Sequence, residues 1–305
     1  IDFEIKGEGG KAIEVSRTLQ KIYLGRFPIM LQSDLCILKG LSREVRFNMG
    51  ECRNDYGGYF IIDGKEKAIV CQEKFADNML YISDQEQQSR GIVYSHSAKI
   101  RSVSEDASKP IRTLAVRIVA PTDRSRNGQI VVDVPNVKKA VPLFILMRAL
   151  GVISDKEIIE TCLLNIDKEK DYLELFRPSI HDAGYIFTQN AATKYIASFL
   201  QLHRAAGGAR MQLLTTYLFP HIGEFNFKQK ALYLGYIVKR LLDVYMKNEQ
   251  ATDRDNFKFK RIETTGELIG QLFNEYYNLQ YKRIFSNIDK EYYYHETSYK
   301  NENFL

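Results

Sequence analysis

The sequence predicts an α+β protein, on three observations. Two β-hairpin signatures occur in the first half, YFII (59–62) to EKAIVC (66–71) and RTLAVRIVA (112–120) to QIVVDV (129–134). After about residue 135 the apolar period changes from two to nearly four. Two capping-box patterns, Ser154 with Glu157 and Thr264 with Glu267, mark helix starts in that second half.

Size and composition fit this class. At 305 residues the chain is about two domains long, and such a chain buries roughly 75 % of its unfolded surface without a covalent staple. Apolar residues are 45 % and charged residues 27 %, which excludes a disordered tail, a collagen-like fibre and a disulfide miniprotein. The densest apolar run, AVPLFILMRALGVI (140–153), is broken by Pro142 and Arg148, so it predicts no membrane span. The chain opens on Ile1 and an acidic, β-patterned segment, which reads as a piece of something longer.

EVSRTLQKIYL (14–24) has a short amphipathic helical pattern, ended by Pro28 in GRFPIML (25–31). Asp63-Gly64 between two β-rich runs suits a type I′ turn, whose central residues both need positive φ. In the second hairpin Leu114, Val116 and Ile118 alternate with Thr113, Ala115 and Arg117, which predicts one buried face. Pro142 suits the first turn of a helix running to Leu150, with Gly151 closing it. Further helices are predicted in EIIETCLL (157–164), AATKYIASFLQL (191–202) and KALYLGYIVKRLLDVYMK (230–247), with Gly207-Gly208 the loosest point between the last two. The helix after Thr264 places Leu268, Ile269, Leu272, Phe273, Tyr276 and Leu279 on one face, and EYYYHETSYKNENFL (291–305) reads as a fraying end.

Forty-three basic against thirty-eight acidic residues give +5, a weak pointer to a polyanionic partner. Cys36, Cys52, Cys71 and Cys162 form no C-x-x-C pair and the histidines are scattered, so reduced thiols are expected and neither a zinc site nor a disulfide framework. GEGGK (7–11) lacks the phosphate-loop spacing and has Ala12 where a hydroxyl should stand, so it reads as a turn. His96, His181 beside Asp182, His203 and His221 have no serine or cysteine in a nucleophile-elbow context, and a hydrolase is not supported. Gly57-Gly58 reads as backbone freedom entering a tight β structure; the other use of such glycines is close approach to a ligand.

TDRDNFKFKR (252–261) lies between two helices and interleaves Arg254, Lys258, Lys260 and Arg261 with Phe257 and Phe259. Cations on such a loop can grip phosphates while rings pack beneath or stack on bases. The alternative is a solvated turn whose Asp253 and Asp255 pair with its own cations. Two carboxylates beside four cations make a poor metal site.

GRFPIML (25–31), GECRNDYGGYFIIDGKEKAIVCQEK (50–74), RALGVISDKEI (148–158), FPHIG (219–223), KALYLGYIVKRLL (230–242) and TDRDNFKFKRIETTGELIGQLF (252–273) together resemble the second-largest subunit of multisubunit DNA-dependent RNA polymerases, the counterpart of the bacterial β subunit. The segments follow in the family's order across nearly the whole chain. Asp63 replaces the family's usual Asn, Lys258 stands where relatives have Gly, and Phe259 where many have Lys or Asn.

The resemblance implies a mixed hairpin-and-helix protrusion over 1–87, an inserted α+β lobe over 88–205, a return to the protrusion over 206–250, and the start of a helical fork over 251–305. It implies one wall of the DNA cleft, helping to hold template DNA and the RNA–DNA hybrid. Lys260 and Arg261 are then the leading backbone contacts, with Lys258 beside them and Arg101 in SAKIRSVSEDASKPIRTL (97–114) a further contact. Arg254, between Asp253 and Asp255, is expected to brace the loop through ion pairs. Implied partners are the largest polymerase subunit, the other subunits, and initiation factors on the lobe and protrusion, with no membrane. The chain itself is expected to bind no cofactor and to be inactive alone, because the Mg²⁺-binding aspartates of this nucleotidyltransferase belong to the largest subunit. The implied location is intracellular: the nucleus in a eukaryote, otherwise cytoplasm, viral factory or virion. The competing reading is a stand-alone nucleic-acid-binding or scaffold protein that shares the fold.

Overall fold

The computed structural model describes residues 2–6, 12–16, 18, 20, 21, 23, 25–89, 91–106, 109–122, 127–200 and 213–295. It comprises two compact units, one formed by Ile1–Gln72 with Glu263–Leu305 and the other by Glu73–Ile262. Helices and antiparallel sheets are both present, as an α+β protein requires.

The first unit begins with β1 (Asp2–Lys6) and β2 (Ala12–Ser16), paired antiparallel. This corrects the helix expected over 14–24. Ile13 and Val15 alternate with Glu14 and Ser16, and that period-two, β-branched pattern prevails. Lys21 then adopts φ 56°, which no α-helix accommodates. The GEGGK turn lies outside the described residues. The short helix α1 (Arg43–Asn48) is capped by Ser42, whose Oγ accepts from the Val45 amide at 3.3 Å.

β3 (Phe60–Ile62) and β4 (Lys65–Lys67) form the expected hairpin, with φ 50° at Asp63 and 72° at Gly64. Its second strand ends at Lys67, short of the 71 expected. Gly57 (φ +71°) is required where it stands, because a Cβ there would collide with the Leu31 carbonyl. Leu31 in turn donates to the Tyr59 carbonyl at 2.9 Å and accepts from the Gly58 amide at 3.0 Å.

The second unit is built on a six-stranded antiparallel sheet. Past β5 (Gln72–Phe75) come β6 (Leu80–Ser83), β7 (Gln87–Ser89), β8 (Ile92–Ser102), β9 (Arg112–Val119), β10 (Ile130–Asp133) and β11 (Val141–Pro142). The order is β11-β10-β9-β8-β6, with β7 also paired to β8. Leu114, Val116 and Ile118 are buried on one face with Ala98 and Ile100, as the alternation predicts. Ser97, Lys99, Arg101 and Arg117 occupy the opposite face.

The helices are α2 (Leu143–Ala149), α3 (Asp155–Leu163), α4 (Leu173–Ala183), α5 (Gln189–Ser198) and α6 (Phe227–Tyr245). Every residue of α2 is buried; a fully buried Leu or Phe contributes about 1.5–3 kcal/mol. Pro142 takes the N-cap position and Gly151 (φ +106°) follows the last turn. Ser154 precedes α3 as expected, but its side chain makes no cap hydrogen bond. Buried Arg148 engages the carboxylate of Asp155, the first residue of α3, and also donates to the Ile186 carbonyl. Gly235 lets α6 approach α3, because a Cβ at this position would meet the Thr161 carbonyl. Lys230 on α6 is fully buried, and its ammonium donates to the carbonyls of Leu214, Thr215 and Glu224 at 2.6, 3.0 and 3.1 Å.

The chain returns through β12 (Lys260–Glu263), which pairs with β5, to α7 (Thr265–Tyr294) of the first unit. The Thr264–Glu267 capping box is formed, the Thr264 amide donating to Glu267 Oε2 at 3.0 Å. None of the thirty residues of α7 is buried. Phe273 meets Phe27 edge-on at 5.9 Å. Residues 291–294 continue α7, whereas Gly207-Gly208 and 296–305 lie outside the described residues.

All four cysteines are free, and burial pushes the Cys162 thiol up to about 12. Among the described residues no helix is long and apolar enough to cross a membrane.

Candidate nucleic-acid interface

The 252–261 loop is fixed at both ends. The Thr252 amide donates to the Ile82 carbonyl at 2.8 Å, and the Ile82 amide donates back to Thr252 Oγ1 at 3.1 Å. At the other end the Ala76 amide donates to the Phe259 carbonyl at 2.7 Å. Between these points Asp253 Oδ1 accepts from the Asp255 amide at 3.0 Å, and Asn256 Oδ1 from the Lys258 amide at 3.1 Å. These are local turn bonds that short polar side chains make to their own backbone.

The loop's rings and cations form an interleaved cluster within this unit. Phe259 is buried and packs on Tyr81, centroids 5.3 Å apart; Tyr81 meets Phe75 at 6.0 Å. The Arg254 guanidinium lies 4.5 Å from the centre of Phe75 and 5.6 Å from that of Tyr81. Lys260 stands 4.1 Å over Phe75 and Lys258 4.7 Å over Phe259. Cations over ring faces are held by the ring quadrupole. Arg254 therefore braces its loop on aromatic rings; Asp255 and Asp253 hold the turn through a backbone amide.

The cations expected to contact phosphate divide by their surroundings. Lys260 Nζ is 2.8 Å from Glu73 Oε1. Arg101 Nε is 3.2 Å from Asp77 Oδ1. Arg261 is exposed and spends one Nη1 on the carbonyls of Lys258 and Lys260, at 3.1 and 2.7 Å, leaving its outer edge in solvent. Lys258 and Phe257 are also exposed, the ring at 84 %. The surface thus presents Arg261, Lys258 and an uncovered ring, above Lys260 and Arg254 that already have partners. Sequence reasoning missed Glu73, Phe75, Asp77 and Tyr81. They lie more than 170 positions from the loop, and the only signal was the short β-pattern of QEKF (72–75). Burial, with Asp77 nearby, raises the Tyr81 phenol, keeping it neutral.

The histidines have structural surroundings. His96 packs edge-on to Tyr245 at 5.1 Å, and His181 is exposed. His203 lies outside the described residues. His221 Nδ1 is 2.7 Å from Ser102 Oγ, a Ser–His pair 119 positions apart in sequence. Ser102 is wholly buried and Phe219 and Tyr233 pack against the imidazole, so no substrate carbonyl reaches that hydroxyl. Among the described residues no three His, Cys, Asp or Glu side chains converge as metal ligands.

Residues 5–302 match the family model described as RNA polymerase beta subunit. The chain belongs to that family. Among curated relatives, this β-subunit chain is 39 % identical over 259 residues to the DNA-directed RNA polymerase II subunit RPB2 of Encephalitozoon cuniculi, covering 83 % of the chain and 22 % of the relative. It is 33 % identical over 277 residues to the DNA-directed RNA polymerase II subunit 2 of Arabidopsis thaliana, covering 88 % and 23 %. It is also 30 % identical over 259 residues to the DNA-directed RNA polymerase subunit Rpo2 of Saccharolobus solfataricus, covering 83 % and 22 %. The β-subunit chain thus spans between a fifth and a quarter of the length of these relatives. Membership in the family does not favour the stand-alone scaffold reading.

Proposed function

We propose that this chain is the part of a DNA-directed RNA polymerase second-largest subunit that forms one wall of the DNA cleft and helps to hold template DNA and the RNA–DNA hybrid. The observation that carries the reading is the 252–261 loop, a preformed stack of rings and cations exposing Arg261, Lys258 and Phe257 in a chain of this family. Cations fixed near phosphates hold a strand in register and supply affinity that falls with salt. An exposed ring offers a stacking surface that tolerates any base.

In this reading the chain positions nucleic acid and does not itself transfer phosphoryl groups. The magnesium-binding aspartates belong to the largest subunit, and the chain is inactive alone. Its partners are that subunit, the other polymerase subunits, and initiation factors meeting the lobe (88–205) and protrusion (1–87 and 206–250), with the fork beginning near 251. The protein works inside the cell.

The test is Lys258→Ala with Arg261→Ala in the full-length protein, assembled with its partner subunits on a DNA template. The logarithmic salt dependence of complex lifetime is expected to flatten by up to about two charges' worth. Lifetimes unchanged across the salt series would remove these residues from the contact.

A further inference from the structure

Beside the aromatic cluster, the polar face of the sheet and the 251–254 segment enclose a cavity of about 520 Å³. We propose that this cavity binds the phosphoryl group of a small phosphorylated molecule, with Lys99 as the central cation, Arg101 and Arg254 as the flanking ones, and the hydroxyls of Ser83, Ser97 and Thr113 as further donors.

Strand geometry builds the site. Ser97, Lys99 and Arg101 are alternate residues of β8, so they project from one face. Ser83 is paired with Ser97 across β6 and β8, and Thr113 with Arg101 across β8 and β9. Arg254 comes over from the loop. The volume lies within the range of small-molecule sites.

Two groups here are left without partners by the protein's own structure. Ser97 is 1 % exposed and its hydroxyl makes no hydrogen bond, which is costly for a buried polar group. Among the described residues the half-buried Lys99 ammonium forms no ion pair, while Lys260, Arg101 and Arg117 have Glu73, Asp77 and Asp133. Burial first, and then the nearby Arg117 and Arg254 cations, pull the Lys99 pKa down, with Asp133 acting against them. An arriving anion relieves this repulsion, which is why an oxyanion suits the site. A phosphoryl group fits better than a carboxylate, since its oxygens can meet an ammonium, two guanidinium forks and several hydroxyls at once. Asp84 and Asp253 also line the cavity. Asp253 is turned onto its own loop through the Asp255 amide, and Asp84 holds the affinity down.

The test is calorimetric titration of the full-length protein with inorganic phosphate and, separately, adenosine monophosphate, at constant ionic strength set with sodium chloride. Saturable millimolar or tighter binding is expected. Lys99→Gln should weaken it about tenfold or more and Arg254→Gln should weaken it too, with the circular dichroism spectrum of each variant showing that it remains folded. Adenosine monophosphate binding tighter than phosphate identifies a nucleotide ligand, and equal binding identifies free phosphate. Absence of binding by both probes, binding untouched by Lys99→Gln, or capture only of an oligonucleotide would overturn the proposal. Lys258 and Arg261 do not line the cavity, so the fate of the hybrid-retention reading is decided separately.

Discussion

Lys260 Nζ lies 2.8 Å from Glu73 Oε1 and 4.1 Å above the ring of Phe75. The cation that leads the sequence-based assignment is thus already neutralised and seated. Counterion release needs a cation that meets phosphate unpaired. Lys260→Ala alone should therefore change the salt slope of nucleic-acid retention by much less than one charge, while Arg261→Ala should remove close to one. Glu73→Gln should steepen the slope by freeing Lys260. Filter retention of a labelled hybrid across a salt series measures all three, and equal slopes for the two alanine variants would reverse the ranking.

Gly57 and Gly58 both have positive φ, at +71° and +86°, but only Gly57 faces backbone. Gly58→Ala should cost about 1–2 kcal/mol, from the left-handed conformation alone. Gly57→Ala should cost more, because it adds a collision with the Leu31 carbonyl and threatens the two hydrogen bonds that Leu31 makes. Urea denaturation of the two variants gives the comparison. A smaller loss for Gly57→Ala would mean that the Leu31 segment yields easily.

Lys230 is a buried ammonium satisfied by three carbonyls and no carboxylate. Burial pulls its pKa down to about 8. Lys230→Met keeps the volume and removes the donors. Each buried acceptor left unpaired costs about 1–3 kcal/mol, so a loss of at least about 3 kcal/mol is expected in denaturant titration. A neutral outcome would show that water replaces the ammonium.

Burial lowers the pKa of His96 and of His221, and the nearby Lys230 lowers that of His221 further. A depressed folded-state pKa means that the native state prefers the neutral imidazole. Their contribution is therefore fully present above pH 6.5, the unfolded value, and is lost as pH falls through the lower folded values. The melting temperature should fall only slightly between pH 8 and 7, where Lys230 takes up its proton, and fall more steeply below about 6. His221→Gln should reduce that fall, and an identical acid limb in the variant would assign it to other groups.

Much of the fold was legible because local chemistry decided it. Asp63-Gly64 fixed a turn, the alternation at Leu114, Val116 and Ile118 fixed a buried face, and Thr264 with Glu267 fixed a helix start. Segment 14–24 departs from the helix expected because a short amphipathic run fits either period, and pairing with the neighbouring strand β1 selects the β form for Ala12–Ser16. At Ser154 the capping pattern is present and the helix starts there, but the side-chain cap bond is not made, and nothing in the structure explains its absence. The loop was legible in part. Its cations and rings were visible, while the groups deciding which cations are free, Glu73, Phe75, Asp77 and Tyr81, reach it only through tertiary structure.

The 252–261 loop continues from α6, whose helix is seated by the Gly235 approach to Thr161 and by Lys239 bridging Glu169 and Asp243 at 3.0 and 2.7 Å. Arg240 clasps Glu249 just past the helix end, and Thr252 is pinned to Ile82. The connecting segment has therefore surrendered most of its conformational freedom during folding. A polyanion arriving at Arg261 and Lys258 meets a surface whose ordering entropy is already spent, so recognition there draws on charge and stacking with little left to deduct.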